Sequence, residues 1–267
     1  MTLRLRGAAG TVLLAACLVG SATAGAAGGC ALTSAAHRVT VLELYTSEGC
    51  NSCPPADRWL STIAARGFDP DKVVPLAFHV DYWNQLGWND RFSDARFSDR
   101  QRAIAERQRS AVIYTPQFVI DGRDWRPAQR DESLATTLAT IHGQPARAQI
   151  RAQVARETDA LVVLGEVSVP NAADRSSADA WIALFENGLS TDVRAGENGG
   201  KKLHHDYVVR ELVGPLRIAF TGTLALERRL RLRPDFKPEQ TGVAIFLQRR
   251  DNGEILQAIA LPSACPS

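Results

Sequence analysis

The chain has 267 residues, of which 45% are apolar and 22% charged, and its formal net charge is +2. A chain of this length can bury one or two hydrophobic cores. So small a net charge disfavours nucleic-acid binding, which depends on a marked excess of Lys and Arg. The arginines at 228, 229, 231 and 233 alternate in part with leucines, as in a strand with one solvated face.

The N-terminus has the pattern of a secretory signal peptide. Arg4 and Arg6 precede an apolar run at 8–19, and Ala22-Thr23-Ala24 is typical of a cleavage site. The run is shorter than the roughly 20 residues that a membrane-spanning helix needs. We therefore predict a signal peptide at 1–24, a tail at 25–37 and a mature chain without a transmembrane segment.

These features predict a periplasmic or secreted protein. The alternative is a lipoprotein anchored through Cys17, because Leu14-Ala15-Ala16-Cys17 resembles a bacterial lipobox. Cleavage after Ala24 would leave four cysteines in an oxidising compartment. If Cys50 pairs with Cys53, the simplest connectivity joins Cys30 to Cys265 in a structural disulfide. Two unpaired cysteines near the chain ends are the alternative.

A C-x-x-C motif, Cys50-Asn51-Ser52-Cys53, follows a strand-like run at 39–45 and precedes a helical pattern. In an exported chain this context favours a redox pair, with a small structural disulfide as the alternative. A metal site is disfavoured because the other cysteines are not at ligand spacing. We predict no metal and no cofactor.

Cys50 is the predicted attacking thiol, and Cys53 is predicted to resolve the mixed disulfide. Pro54 and Pro55 fit the first turn of a helix, which leaves Cys50 just outside it. The carboxylate of Glu48 would either oppose thiolate formation or accept a proton, so we predict a modulating role for this residue.

The region 38–143 is predicted to contain elements in the order β-α-β-α-β-β-α. A capping box at Ser98 and Gln101 predicts the start of the second helix, and Asp121-Gly122 is a hairpin signal. An aromatic loop at 81–90 separates the second strand from that helix. Trp83 and Trp88 in this loop are candidates for the wall of a substrate groove, with packing beneath a long connection as the alternative.

The element order is that of thioredoxin, and Thr115-Pro116 lies directly before the third strand, as in that arrangement. In thioredoxin-like folds this proline is cis and packs against the cysteine pair. The resemblance therefore implies a cis Pro116, and it implies that Thr115 and Pro116 contact an extended substrate peptide.

The stretch 42–57 resembles a secreted bacterial family of unassigned activity, domain of unknown function 1223. The segments His79-Val80-Asp81-Tyr82-Trp83, Leu86-Gly87-Trp88 and Tyr114-Thr115-Pro116-Gln117 resemble the same family. The resemblance implies a thioredoxin-like domain but no particular substrate.

After a hinge at Gln144-Pro145, residues 147–263 show short strand patterns separated by turn-rich stretches, which predicts a β-sandwich. The predicted fold is thus an α/β thioredoxin-like domain followed by an all-β sandwich-like domain. His204 and His205 would point to opposite strand faces, which disfavours a shared metal. The family pattern Leu-x-His-x-Asn-Val-Val-Arg falls at 203–210, with Tyr207 in place of Asn.

Two functions follow from these patterns. The first is a thiol-disulfide oxidoreductase or redox-linked envelope factor, which acts on protein or small-molecule thiols with a redox partner in the envelope. The second is a non-catalytic binding or assembly protein of the cell envelope, with a structural disulfide at Cys50 and Cys53.

Overall fold

The computed structural model describes residue 2, residues 30–126 and residues 130–263. Within these residues the chain forms fourteen β-strands and four α-helices, so it is mostly β. The predicted signal peptide, the alternative lipid anchor at Cys17 and the predicted Cys30–Cys265 pairing involve residues outside the described ranges.

The first half contains most of the helices. Its elements are β1 (Cys30–Thr33), β2 (Thr40–Thr46), α1 (Pro54–Ser61), β3 (Val73–His79), α2 (Ala95–Arg107), β4 (Gln117–Ile120), β5 (Arg123–Asp124) and α3 (Arg130–His142). Short 3-10 turns lie at Ala64–Arg66 and Asn84–Leu86.

The second half is built almost entirely of strands. Its elements are β6 (Gln149–Arg156), β7 (Ala160–Ser168), α4 (Ala172–Ser177), β8 (Ala178–Glu186), β9 (Leu189–Asp192), β10 (Lys202–His205), β11 (Val208–Arg217), β12 (Thr223–Arg231), β13 (Thr241–Arg249) and β14 (Ile255–Pro262). A 3-10 turn at Pro238–Gln240 precedes β13.

The predicted start of the second helix at Ser98 is wrong by one turn. The N-cap of α2 is Asp94, whose side chain accepts a hydrogen bond from the backbone N–H of Arg96. Ser98 is instead buried inside the helix, and its hydroxyl donates to Asp81. Asp is as good an N-cap as Ser, so the local sequence allowed both positions.

The strands assemble into one large mixed sheet, in the order β14-β13-β8-β11-β3-β2-β4-β5. β3 pairs in parallel with β2 on one side and with β11 on the other, where the Ala77 N–H donates to the Tyr207 carbonyl at 2.8 Å. Strands from both halves of the chain therefore share one sheet.

This topology contradicts the predicted fold class of an α/β thioredoxin-like domain followed by an all-β domain. The local elements of the first half do form in the predicted order, but their sheet continues into β11, β8, β13 and β14. Strand pairing between distant segments is not encoded in local periodicity, which explains the error. The boundary predicted at 144–146 lies between α3 and β6, and the division into two domains stays a prediction.

A four-stranded sheet, in the order β1-β6-β7-β12, faces the second half of the large sheet. On β8, Ile182 and Leu184 enter the core between the two sheets, whereas Ala183 and Phe185 enter a second core on the opposite face. This alternation follows from the two-residue period of a strand. The second half is thus a β-sandwich whose larger sheet is buried on both faces.

Helices cover both faces of the first half of the large sheet. Leu42 and Leu44 of β2 share a core with α1 and α3, and Val41 and Tyr45 of the same strand face the core that includes Ile104 of α2. Because both faces of β2 are covered, every residue of this strand is buried.

A buried ion pair ties α2 to this sheet. The Arg100 guanidinium donates two hydrogen bonds to the Glu43 carboxylate, both at 2.8 Å, and a third to Gln248 Oε1 at 3.0 Å. The Tyr45 hydroxyl donates to Glu43 at 2.6 Å. Burial and the Glu43 carboxylate raise the pKa of Tyr45, so its hydroxyl stays a donor. The contacts join β2, α2 and β13.

We expect Arg100→Met to lower the free energy of unfolding by about 3–5 kcal/mol, because it leaves the Glu43 carboxylate buried without its cation. Urea unfolding at pH 7 measures the change. The double variant Arg100→Met/Glu43→Leu removes both charges and should recover much of the loss. A double variant no more stable than Arg100→Met would contradict this interpretation.

Candidate functional site

Cys50 and Cys53 form a disulfide at the start of α1, with their Cα atoms 5.4 Å apart. Both cysteines are fully buried, and Cys53 is the N-cap of α1. Pro54 and Pro55 follow at the first two helical positions and have no N–H group. The helix therefore offers fewer free donors to a sulfur at its N-terminus than an ordinary helix would.

A loop of the second half, residues 193–201, covers the cysteine loop. The Asn198 side-chain amide donates to the carbonyls of Glu48 and Cys50, each at 2.9 Å. The backbone N–H of Asn51 donates to Glu197 Oε2 at 3.1 Å. Asn198 is fully buried, whereas Asn51 and Ser52 are exposed, so solvent reaches the loop between the cysteines but not the sulfurs.

Five buried ionisable residues lie beside the disulfide, and we call them the acid–histidine cluster: Glu48, Asp57, His79, Asp90 and His205. Its tightest contact joins His79 Nδ1 to Asp90 Oδ2 at 2.7 Å. Asp90 also accepts hydrogen bonds from the backbone N–H groups of Glu48 and Phe92, each at 2.9 Å. This carboxylate therefore anchors the start of the cysteine loop.

His205 lies between two other carboxylates of the cluster. Its Nε2 is 3.3 Å from Glu48 Oε1, and its Nδ1 is 3.9 Å from Asp57 Oδ2. Both distances allow ion pairs, but neither contact has hydrogen-bond geometry. The His205 and His79 rings meet edge to face, with centroids 4.9 Å apart. The cluster is thus one contiguous group of side chains.

The topology brings this cluster together at one edge of the large sheet. Glu48 and His79 lie at or just beyond the carboxyl ends of the parallel strands β2 and β3, where Thr46 pairs with His79. His205 ends β10 and precedes β11, which pairs with β3 through Val208 and Ala77. Asp57 lies one turn after Cys53 in α1, on the same helical face.

The environment shifts the pKa values of the cluster in opposite directions. Burial alone would lower the pKa of His79, but the Asp90 carboxylate outweighs it, and the pKa is raised. Burial would raise the pKa of Asp90 and Glu48, but His79 lowers that of Asp90 and His205 lowers that of Glu48. Burial raises the pKa of Asp57, which the nearby histidines offset only in part.

Several residues that the sequence singled out lie around the cysteine loop. The Trp88 indole N–H donates to Glu48 Oε2 at 2.8 Å, and the Trp83 indole N–H donates to Thr115 Oγ1 at 2.8 Å. Trp83 also packs beside Gly49, where an added Cβ would lie 3.2 Å from the Trp83 Cβ. The substrate-binding roles predicted for Trp83, Trp88 and Thr115 stay predictions.

The peptide bond between Thr115 and Pro116 is cis, as the resemblance implied. Pro116 is half-buried directly before β4. Its contact with substrate stays a prediction.

The sequence interpretation missed most of the acid–histidine cluster. The sequence patterns indicate no chemical role for His79 or His205, and they do not single out Asp57, Asp90 or Asn198. Asp57 had a usable signal, because a carboxylate one turn after Cys53 shares its helical face. The family pattern at 203–210 marks the histidine at 205 but not its partners, which come from distant segments of the chain.

No group of three or more His, Cys, Asp or Glu side chains in the described part of the chain has the arrangement of a metal site. His204 is exposed and His205 is buried, on opposite faces of β10. Among the described residues, no helix is both long and apolar enough to span a membrane.

The fold and site define a mostly β protein with a large mixed sheet and a buried cysteine pair in disulfide form. The chain belongs to the family described as protein of unknown function DUF1223, whose pattern matches residues 41–248. The resemblance seen in the sequence is therefore confirmed. Comparison with proteins of curated function gives no significant match.

Two solved structures are similar to this chain over most of its length. Protein AGR_C_4864 from Agrobacterium tumefaciens is 26% identical with a TM-score of 0.62, over 87% of this chain and 98% of that one. HBP35 of Porphyromonas gingivalis is 17% identical with a TM-score of 0.64, over 88% of this chain and 80% of that one. At that identity the second match indicates the fold alone.

Because the pKa of Asp57 is raised in the folded protein, its contribution to the stability of the protein depends on pH. Its favourable contribution to stability is complete below the unfolded-state pKa of about 3.9 and is lost as the pH rises through the folded-state value. Asp57→Asn keeps the shape of the side chain but cannot ionise. We expect the stability of this variant relative to wild type to be greater at pH 7 than at pH 4, by urea unfolding of the oxidised proteins.

Asp71→Asn is a matched control, because Asp71 is exposed. Its stability relative to wild type should be nearly the same at both pH values. If the stability difference between Asp57→Asn and wild type were the same at pH 4 and pH 7, it would contradict the raised pKa of the buried Asp57 carboxyl group.

Proposed function

We propose that Cys50 and Cys53 are a redox-active pair whose disulfide accepts electrons from the thiols of proteins or small molecules. The observation that carries the proposal is that two members of the buried acid–histidine cluster, Glu48 and Asp57, lie on the loop and helix that carry the disulfide. The predicted export is consistent with it, because disulfides persist in oxidising compartments.

The cluster differs from the structural ion pair of Glu43 and Arg100, in which both carboxylate oxygens accept hydrogen bonds. In the cluster, Glu48 Oε1, His79 Nε2 and both ring nitrogens of His205 are buried without a hydrogen-bond partner among the described residues. Such groups are costly to bury, so they favour a role in chemistry over a role in stability.

The proposed reaction moves two electrons from substrate to protein. A substrate thiolate attacks the Cys50 sulfur, forms a mixed disulfide and breaks the bond to Cys53, whose sulfur leaves as a thiolate. A second substrate thiolate then attacks the substrate sulfur of the mixed disulfide and releases the Cys50 thiolate. The products are an oxidised substrate disulfide and, after uptake of two protons, the Cys50/Cys53 dithiol.

Proton transfer is the role that we assign to the cluster. Pro54 and Pro55 remove two N–H groups that would otherwise stabilise a thiolate at the start of α1. The Cys53 thiolate that is released is therefore stabilised more by protonation than by the N-terminus of the helix. Asp57 is on the same helical face, and its raised pKa favours the neutral acid that can donate a proton. His205 and Glu48 connect this acid to the cysteine loop.

Both sulfurs are buried, so exchange requires the loop at 193–201 to move away from the cysteine loop. Asn198 and Glu197 supply the polar contacts that hold the two loops together. Cys50 is the proposed point of attack, because its Sγ lies 3.3 Å from the hydroxyl oxygen of Ser52, an exposed residue.

The burial of both sulfurs also favours a second candidate, a binding or assembly protein of the cell envelope in which this disulfide is structural. Trp83 and Trp88 would then belong to the binding surface. This candidate differs from the first in one measurable property, the reactivity of the cysteines in the folded protein.

We expect the Cys53→Ser variant, in its folded state, to form a mixed disulfide with oxidised glutathione at Cys50. The Cys50→Ser variant should react about tenfold more slowly, because its remaining thiol is at the N-cap of α1, where Pro54 and Pro55 lack the N–H groups that would stabilise its thiolate. Mass spectrometry of the native variants over time measures both rates, and circular dichroism confirms that each is folded.

Equal rates for the two variants would contradict the assignment of Cys50 as the attacking thiol. If neither variant reacts until urea unfolds it, the redox proposal fails and the structural disulfide is correct.

A further inference from the structure

A separate cavity of about 480 Å³ lies between α2 and the large sheet. Its helical wall is formed by residues at 96, 99, 100, 103 and 107, which lie on one face of α2. Its other wall comes from β8, β11 and β13 of the second half of the chain. The volume is within the range of about 300–1,000 Å³ typical of small-molecule pockets.

A break in strand pairing borders this cavity. The register between β11 and β8 shifts between Val213 and Leu216, which places one extra residue in β11 as in a β-bulge. Gly214 lies in this bulge with a φ of 142°, and an added Cβ would lie 2.6 Å from Cε3 of Trp181. Glycine therefore allows the indole ring to lie directly against the backbone of β11.

Trp181 provides a flat apolar wall. Its ring is stacked on Phe246, with centroids 6.4 Å apart and an angle of 11° between the planes. The Arg100 guanidinium lies 5.2 Å from the centre of the indole ring and is itself held by Glu43. The orientation of the ring is thus fixed from two sides, and Leu212 adds a second apolar contact surface.

The cavity is rich in positive charge. Six arginines and two aspartates line it, a formal excess of four positive charges. One of the two aspartates, Asp99, is exposed and pairs outwards with Arg102 at 2.6 Å. The other, Asp179, lies between Arg217 at 3.3 Å and Arg250 at 2.8 Å. The two carboxylates are therefore already engaged.

Among the arginines that line the cavity, Arg107 is the one without a carboxylate partner in the described part of the chain. Within the described residues its side chain takes part in no ion pair, and its buried Nε has no hydrogen-bond partner. The other arginines of the cavity each pair with a carboxylate: Arg96 with Asp94, Arg100 with Glu43, Arg217 and Arg250 with Asp179, and Arg249 with Asp174 and Asp251. Burial and the nearby Arg100 lower the pKa of Arg107, and the carboxylates of Glu43 and Glu106 offset this effect only in part.

We propose that this cavity binds a small aromatic carboxylate, with its ring against Trp181 and its carboxylate on Arg107. An apolar wall and one unmatched guanidinium are the two features that such a ligand would satisfy. The site uses neither the cysteine pair nor the acid–histidine cluster, so it is independent of the proposed redox function.

The test uses naphthalene-2-carboxylate as the probe and 2-naphthamide as its neutral counterpart, with binding to the full-length oxidised protein measured by isothermal titration calorimetry. We expect the carboxylate to bind at least about tenfold more tightly than the amide, because a charge-assisted hydrogen bond is stronger than a neutral one. Arg107→Gln should weaken carboxylate binding by about tenfold and leave amide binding nearly unchanged.

Arg109→Gln is the matched control, since it removes the same charge at an exposed position just after α2 and outside the cavity, and it should leave both affinities unchanged. Ala103→Trp fills the cavity from the helical wall and should abolish binding of both probes. This variant also tests the site if Arg107→Gln fails to fold.

Three results would overturn the proposal. They are the absence of carboxylate binding to wild type, equal carboxylate binding by wild type and Arg107→Gln, and carboxylate binding that survives Ala103→Trp.

Discussion

The parallel pairing of β11 with β3 is the constraint on which the rest of the structure depends. It consists of little more than the Val208–Ala77 register and the hydrogen bond from Ala77 to the Tyr207 carbonyl. This contact nevertheless joins the helix-covered first half to the β-sandwich in one continuous sheet. It also brings His205 to the carboxyl ends of β2 and β3, where Glu48 and His79 lie. Without this pairing His205 would not lie between Glu48 and Asp57.

Two groups of buried charged residues, the Glu43–Arg100 pair and the acid–histidine cluster, differ in how completely they are paired. Glu43 and Arg100 satisfy each other and their neighbours, and they link three elements. Beside the disulfide, the two ring nitrogens of His205 lie 3.3 Å from Glu48 and 3.9 Å from Asp57, without hydrogen-bond geometry. Burial of each ion costs several kcal/mol after relaxation, so incomplete pairing of this kind opposes stability. The proposed proton transfer explains this cost, because a buried side chain without hydrogen-bond partners can change its protonation state.

The sequence predicted the local elements of the first half well. The strand-like run at 39–45, the helical pattern predicted after the cysteine motif, and the order of the elements at 38–143 all reflect short-range physics. It failed on the sheet, because the partner of β3 lies about 130 residues later in the chain. The continuous apolar run of β3 did carry a signal, since it is typical of a strand with both faces covered. That signal predicts burial but does not identify the neighbouring strand.

The candidate site was predictable to the same extent. Cys50, Cys53 and Glu48 could be chosen from one short motif, whereas Asn198 and His205 reach them only through the tertiary fold.

The reduction potential of the Cys50/Cys53 pair, measured by equilibration with thiol buffers at pH 7, tests the central claim most directly. Our account predicts a value in the range of exchange catalysts, about −120 to −270 mV. A value below about −300 mV, typical of structural disulfides, would contradict it.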